Sequence, residues 1–155
     1  MAQFSQLLIS GGFATGVIRY RDYYPGQDQA ARIVLPVVIA GRWPVPVIAD
    51  TGAPWCIFNP EMIIDLDFSG AANYAPEIVL TVRGIGYPGR LLRMDITLPA
   101  DEGENFDIDA TVFVPLLSSG ETWPHPNFIG LDGFLNRIRF AVDPAENAFY
   151  FGPME

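Results

Sequence analysis

Residues 47–53 read Val-Ile-Ala-Asp-Thr-Gly-Ala, an apolar run that ends in a polar turn. Another apolar stretch, residues 55–58, follows almost at once. Because Asp, Thr and Gly all favour turns, residues 50–52 suit an ordinary loop between two strands. They also suit a loop that presents one carboxylate, that of Asp50, between two buried strands. The rest of the chain decides between these two interpretations.

The segments next to this stretch predict short strands and one short helix. Residues 32–39 and 45–49 are apolar and β-branched, and the Gly- and Pro-containing residues between them predict a hairpin that leads into Asp50. Residues 16–24 also have the composition of a strand. Residues 59–66 begin with Asn-Pro-Glu, which predicts a brief helix with Asn as its N-cap and Pro at its first position.

The second half of the chain is predicted to be mostly strand as well. Residues 83–89 contain three glycines, which predicts a tight, mobile hairpin tip. Residues 101–107 are predicted to be a solvated acidic loop, because they do not match a calcium-binding EF-hand loop. The other predicted elements are strands at 77–82, 91–98, 108–116 and 127–130, a short helix at 132–137, and a final hairpin of 139–142 with 148–151. The fold class is therefore mostly β, a compact barrel with one or two short helices.

Length and charge exclude several classes of protein. The chain has 155 residues, half of them apolar, which suits one domain with its own core. Its formal net charge of -9 argues against nucleic acid as a partner, since phosphates require Lys and Arg. The same charge argues against binding to anionic membranes. Solubility alone accounts for a charge of this sign and size.

The scarcity of cysteine and histidine limits the possible sites. Cys56 is the only cysteine, so no disulfide forms within the chain, and we interpret its thiol as buried and unreactive. His125 is the only histidine, and it lacks a nucleophile in any known motif, so we interpret it as a loop residue. These two side chains cannot build a thiolate and imidazole zinc site. We therefore predict no zinc site of this kind, and the function predicted from the motifs needs no metal and no cofactor.

The sequence has no recognisable targeting segment. The N-terminus lacks a basic region, and its apolar run is too short for a signal peptide. No stretch without charges and prolines is long enough to span a bilayer. The expectation is a soluble, cytoplasmic protein without a membrane partner, although a domain cut from a larger protein would look the same.

Three segments, taken in order, resemble the retropepsins, the single-domain aspartic peptidases of retroviruses and their cellular and bacterial relatives. Residues 47–53 resemble the catalytic motif of that family. Residues 83–87, Arg-Gly-Ile-Gly-Tyr, are similar to the glycine-rich tip of the family's flap hairpin, and residues 127–130, Asn-Phe-Ile-Gly, are similar to its second signature. A short helix follows that signature in the family, and residues 132–138 occupy its place. The resemblance extends over about residues 31–151.

The resemblance implies a fold, an activity and a set of site residues. It implies a retropepsin-like barrel with a flap, and it assigns catalysis to Asp50, supported by Thr51 and Gly52. Two carboxylates in contact cannot both ionise, so one activates water while the other polarises the substrate carbonyl. The chain has one Asp-Thr-Gly, so the hypothesis requires a homodimer. The substrate-binding residues predicted with it are Ala53, Trp55, Gly84, Ile85, Gly86, Tyr87 and Ile129.

Two positions differ from the retroviral pattern. Pro54 stands where retroviral enzymes carry an acidic residue, and Leu131 stands where they carry an arginine. Their joint replacement leaves neither charge without its partner. Trp55 beside them suits an apolar subsite wall and a core position equally well.

The predicted function is an aspartic endopeptidase that acts on a peptide or protein substrate. The alternative is a catalytically silent module of the same fold that binds peptides or dimerises, because a fold alone does not establish activity. We predict that residues 31–155 form the retropepsin-like domain and that residues 1–30 form an N-terminal extension packed on it.

Overall fold

The structure is a computed structural model that describes residues 12–26, 32–42, 44–64 and 75–155. These residues form two β-sheets, one α-helix and one 3-10 helix. The strands are β1 (Gly16–Arg19), β2 (Val34–Ile39), β3 (Pro44–Ala49), β4 (Cys56–Ile57), β5 (Glu77–Val82), β6 (Ile85–Leu98), β7 (Glu102–Gly103), β8 (Phe106–Pro115), β9 (Phe128–Ile129), β10 (Arg139–Asp143) and β11 (Ala148–Gly152). The helices are α1 (Pro60–Ile64) and the 3-10 helix Leu135–Arg137.

The larger sheet closes on itself. Its strand order is β2-β3-β9-β4-β8-β6-β5, and β2 pairs additionally with β6, where Ile39 faces Ile96. The predicted hairpin before Asp50 is confirmed, because Val34 faces Ile48 across β2 and β3. Closure of the sheet gives most of its strands a hydrogen-bonded neighbour on each side. Barrels avoid edge strands with unpaired backbone N–H and C=O groups in this way. Among the described strands, β5 extends from this barrel and pairs only with β6.

The smaller sheet brings the two ends of the described chain together. Its order is β10-β11-β1-β7, and Gly16 in β1 faces Phe151 on one side and Gly103 on the other. Strand β1 ends at Arg19, so the predicted strand at 16–24 is too long. Because β1 pairs with a strand on each side, we propose that it belongs to the same domain as the rest of the described chain. It would then not be part of a separate N-terminal extension. The prediction of an acidic loop at 101–107 is wrong, since β7 and the start of β8 occupy much of it.

The main core joins the two sheets. Strand β6 shows the expected alternation, with Leu92, Met94 and Ile96 buried while Arg93 and Asp95 are exposed. A fully buried apolar side chain of this size contributes about 1.5–3 kcal/mol to folding. A second, smaller cluster lies beside the loop that follows β3; its buried members are Val34, Ile48, Ile57, Phe113, Trp123 and Phe128.

Helix α1 begins as the sequence predicts. The side-chain Oδ1 of Asn59 accepts a hydrogen bond from the N–H of Glu61 over 3.0 Å, which caps the helix. Its predicted end, near residue 66, lies outside the described residues. The helix predicted at 132–137 is shorter than expected, since Gly133 has a φ of 86° and the 3-10 helix begins only at Leu135. Among the described residues, no helix is long and apolar enough to cross a membrane.

Candidate active site

The loop that carries Asp50 follows β3 directly and is held by its backbone. The N–H of Asp50 donates to the carbonyl of Ile129 in β9 over 3.0 Å. The N–H of Ala53 donates to the carbonyl of Asp50 over 3.1 Å, which closes a turn over Thr51 and Gly52. One bond ties Asp50 to the barrel and the other shapes the loop, so the position of the side chain is determined by the main chain.

The Asp50 carboxylate is also oriented by its own loop. The N–H of Gly52 donates to its Oδ1 over 2.9 Å. A Cβ added at Gly52 would lie 3.2 Å from that oxygen, which is tighter than an ordinary contact. Asp50 is half-buried, whereas Thr51 and Gly52 are exposed. The carboxylate is therefore held in one direction while the apex of its loop stays accessible.

Gly130 lies directly behind this loop. A Cβ added there would stand 2.3 Å from the carbonyl oxygen of Trp55 and 2.7 Å from that of Ala53. The next residue, Leu131, donates its N–H to the Ala53 carbonyl over 2.8 Å. Such a close approach of two backbones explains why the segment 127–130 ends in glycine.

An open groove of about 280 Å³ runs beside Asp50. The Asp50 loop forms one side and the hairpin β5–β6 forms the other. The lining residues are Arg32, Asp50, Gly52, Ala53, Pro54, Ile57, Leu80, Thr81, Val82, Arg83 and Phe128. Asp50, Gly52 and Ala53, three of the residues predicted from the sequence, therefore lie together at one groove.

The hairpin β5–β6 turns more sharply than the sequence suggested. Its turn is Arg83-Gly84, with φ values of 51° and 83°, and Val82 already pairs with Ile85. Positive φ at both residues is typical of a two-residue hairpin turn. The tight hairpin predicted at residues 83–89 is present, but its tip is only Arg83-Gly84, because the residues from Ile85 onward pair with β5.

The two faces of this hairpin differ. Ile78, Leu80 and Val82 are partly buried and pack against the smaller core cluster. On the other face Val79 is 70% exposed, and Ile85, which lies opposite Val82 beside the turn, is 56% exposed. The predicted substrate-binding residues Gly84, Ile85 and Gly86 are exposed, and none of them lines the groove of its own chain.

Solved structures of similar fold are known. The structure is similar to that of a retropepsin-like aspartic protease from Rickettsia conorii, with a TM-score of 0.56 and 16% sequence identity over 88% of this chain and 91% of that chain. The chain has a retropepsin-like fold. The EIAV protease in complex with the inhibitor HBY-793 also matches, with a TM-score of 0.38 and 17% identity over 74% of this chain and 92% of that one. No protein-family model and no curated protein matches the sequence.

In this retropepsin-like chain the predicted substrate residue Tyr87 faces an aromatic cluster. Its hydroxyl lies 3.2 Å from Nε2 of His125, and its ring lies 4.8 Å from that of Trp123 in an edge-to-face arrangement. Burial lowers the pKa of His125, and the positive charge of Arg83 lowers it further. A neutral His125 accepts the hydrogen bond from Tyr87 when its proton is on Nδ1. This cluster holds the inner half of the hairpin against residues 123–125.

Two further predicted substrate residues lie outside the groove. Ile129 is fully buried in the main core, and its carbonyl rather than its side chain supports Asp50. Trp55 is partly buried against the smaller cluster, which corresponds to the core interpretation of that residue. Of the two positions that differ from retroviral enzymes, Pro54 lines the groove and Leu131 is 42% exposed.

Asn127 is a supporting residue that the sequence did not single out. It is buried, and its Oδ1 accepts the N–H of Asn59 over 2.9 Å. Its carbonyl accepts the N–H of Ile48 over 2.8 Å, and its N–H donates to the hydroxyl of Tyr24 over 3.2 Å. Asn127 thus ties β3, the start of α1 and an N-terminal segment together behind the Asp50 loop. The sequence signal that could have identified Asn127 is a polar residue directly beside a predicted buried strand.

Cys56 has the buried environment that we predicted. It is fully buried in the main core, and burial raises the pKa of its thiol to about 12. A thiol in this state is neither a nucleophile nor a metal ligand near neutral pH. No group of three or more His, Cys, Asp or Glu side chains that could hold a metal is found within the described ranges.

Proposed function

We propose that this chain is an aspartic endopeptidase in which Asp50 activates the water that attacks the scissile peptide bond. The observation that carries the proposal is the carboxylate of Asp50, held by the Gly52 N–H over 2.9 Å and directed by its loop at an open groove in a retropepsin-like fold. An ordinary loop between strands has no need of the close crossing behind it at Gly130.

The mechanism needs a second carboxylate, and we propose that an identical chain supplies it. One described chain presents a single Asp-Thr-Gly, and Thr51 and Gly52 are exposed at the apex of its loop. Two such loops meeting on a two-fold axis would place both Asp50 side chains side by side. Because like charges in contact cannot both ionise, the pair shares one proton, which supplies a base and an acid together.

The proposed reaction requires neither a covalent intermediate nor a cofactor. The ionised Asp50 takes a proton from water as the oxygen attacks the substrate carbonyl, and the protonated partner donates its proton to the carbonyl oxygen. The amine then leaves with a proton returned from the pair. Residues 80–83 of the hairpin form the wall opposite Asp50, and we propose that this wall closes over the peptide and excludes water.

The test is digestion of a peptide library by the wild type and by Asp50→Asn over a pH series. We expect cleavage by the wild type mainly at acidic to mildly acidic pH, inhibition by pepstatin-like compounds, and a loss of about 100-fold or more in Asp50→Asn. Folding survives this substitution, because the amide oxygen still accepts the Gly52 N–H. Asp95→Asn, at an exposed position of β6, is the matched control and keeps full activity.

Two results separate this function from a silent module. Equal cleavage by the wild type and Asp50→Asn removes Asp50 from the mechanism. Peptide binding without cleavage at any pH, by a folded wild-type dimer, identifies the chain as a non-catalytic peptide-binding module of the same fold.

A further inference from the structure

The groove beside Asp50 carries two positive charges. Arg32 and Arg83 line it together with Asp50. Arg32 precedes β2 and lies level with Asp50, since the next residue, Ile33, accepts the N–H of Ala49 over 2.9 Å. Arg83 lies in the turn of the hairpin on the opposite wall. The two guanidinium groups therefore approach the groove from different elements.

These two arginines differ from others in the chain. All nine basic residues are arginines, and the formal net charge is -9, so positive charge is scarce. Arg93 pairs with Asp109, and Arg137 bonds to the carbonyl of the same Asp109. Within the described part of the chain, the side chains of Arg32 and Arg83 have no hydrogen bond or ion pair. Their donors are available to a ligand.

The other residues that line the groove favour the binding of a peptide with a carboxylate side chain. Pro54, Ile57, Leu80, Val82 and Phe128 supply apolar surface in the same groove as the two arginines. An apolar wall lowers the local dielectric and strengthens a charge pair formed next to it. Arginine is suited to this role, because its planar guanidinium group can donate two parallel hydrogen bonds to one carboxylate.

We propose that this groove selects peptides that carry Asp or Glu close to the bond held at Asp50, with Arg32 and Arg83 as the groups that recognise those carboxylates. The inference rests on the proposed peptidase function and adds the substrate class to it. In a dimer, four guanidinium groups would surround two Asp50 carboxylates that share one proton. The site would then be positive inside a chain that is negative overall, and acidic side chains would be accepted on both sides of the bond.

The experiment measures recognition separately from cleavage. Fluorescent peptides with an apolar centre and either Glu or Gln at the flanking positions are titrated into Asp50→Asn at pH 6.5, at low and at high salt. We expect the Glu peptide to bind about three- to tenfold more tightly at low salt, and this advantage to shrink at high salt. Wild-type digests of a peptide library are expected to show Asp and Glu enriched at the flanking positions.

Substitutions at Arg83 provide matched variants. Asn and Asp both tolerate the positive φ of this turn, so Arg83→Asn removes the charge and Arg83→Asp reverses it without new backbone strain. We expect the preference for Glu over Gln to fall in Arg83→Asn and to disappear in Arg83→Asp. The control is Arg42→Asp, which changes the net charge equally at the far end of the β2–β3 hairpin and keeps the preference.

Each outcome decides one of the two proposals. Cleavage without enrichment of Asp or Glu, or equal binding of both peptides, overturns the acidic preference and leaves the peptidase function standing. Tighter binding of the Glu peptide without cleavage by the wild type overturns the peptidase and supports acidic recognition. An Arg83→Asp variant that loses its dimer but keeps the Glu preference assigns Arg83 to the subunit interface and overturns its role here.

Discussion

At the scale of single residues, the position of Asp50 depends on two glycines with different tasks. Gly52 keeps space for the carboxylate and supplies the N–H that orients it. Gly130 lets β9 pass behind the loop at a distance that no other residue permits. Neither contributes a reacting atom to the proposed mechanism, yet together they determine where the Asp50 carboxylate points.

We predict that Gly130→Ala destabilises the protein and displaces the Asp50 loop. The new Cβ would meet the carbonyl oxygens of Trp55 and Ala53, which are backbone atoms and cannot rotate away. Overpacking of this kind costs about 1–3 kcal/mol, which urea unfolding measures directly. Gly86→Ala is the control, since its nearest contact is the exposed side chain of Val79 at 3.2 Å. A Gly130→Ala variant as stable as the control would contradict the crossing described above.

At the scale of elements, the hairpin β5–β6 has an anchored half and a free half. Tyr87 and Leu80 face each other on the inner side, and Tyr87 reaches His125 and Trp123. The turn Arg83-Gly84 is exposed. The hairpin that forms one wall of the groove is thus attached to its own chain through an aromatic cluster that contains the only histidine.

We predict that His125 titrates below its ordinary pKa of about 6.5. Burial is the first cause and the charge of Arg83 is the second. Proton NMR measures this titration without overlap, since no other histidine is present. The midpoint is expected to rise in Arg83→Asn, where only burial remains. A wild-type midpoint at or above the ordinary value would refute the packing of His125 described here.

The lowered pKa of His125 determines how its contribution to the stability of the fold changes with pH. The unfolded chain takes up the histidine proton first as the pH falls, because its histidine has the higher pKa. The contribution of neutral His125 to stability is therefore fully present above the ordinary pKa and is lost as the pH falls through the lowered one. Unfolding of the wild type and His125→Gln from pH 7.5 to pH 5 tests this, and the difference between them is expected to shrink as the pH falls.

At the scale of the whole molecule, the proposed function depends on the association of two chains. A closed barrel and a small sheet that joins both ends of the described chain form a self-contained unit. That unit holds one Asp50 loop with an exposed apex, which is half of the proposed site. The formal net charge of -9 on each chain opposes association at low salt, whereas the screening length at physiological salt is only about 8 Å.

We predict a dimer with two-fold symmetry that is more stable in moderate salt than in low salt. Sedimentation equilibrium over a concentration series measures the dissociation constant in both conditions. Asp50→Asn is expected to dimerise at least as tightly as the wild type, because it relieves the repulsion between two carboxylates on the axis. A strict monomer at high micromolar concentration would exclude a dyad built from two chains.

Several parts of the fold were predicted from local sequence. The hairpin before Asp50, the buried strand that ends in Gly130, the capped start of α1 and the final hairpin all match the structure. Each of them depends on side-chain alternation or turn residues within about ten positions. The hairpin turn at Arg83-Gly84 was placed too broadly, because glycines at 86 and 89 look like turn residues although they lie within β6.

The sequence by itself determined the mostly β class of fold and the loop that carries Asp50, because alternation, turn chemistry and the run at 47–53 are local properties of the chain. Only the tertiary structure decided that β1 pairs with β11, where Gly16 faces Phe151, and that β7 pairs beside it. It also decided that Arg32 and Arg83 meet Asp50 at one groove. These residues are far apart in sequence, and their proximity follows from closure of the barrel, which no local pattern records.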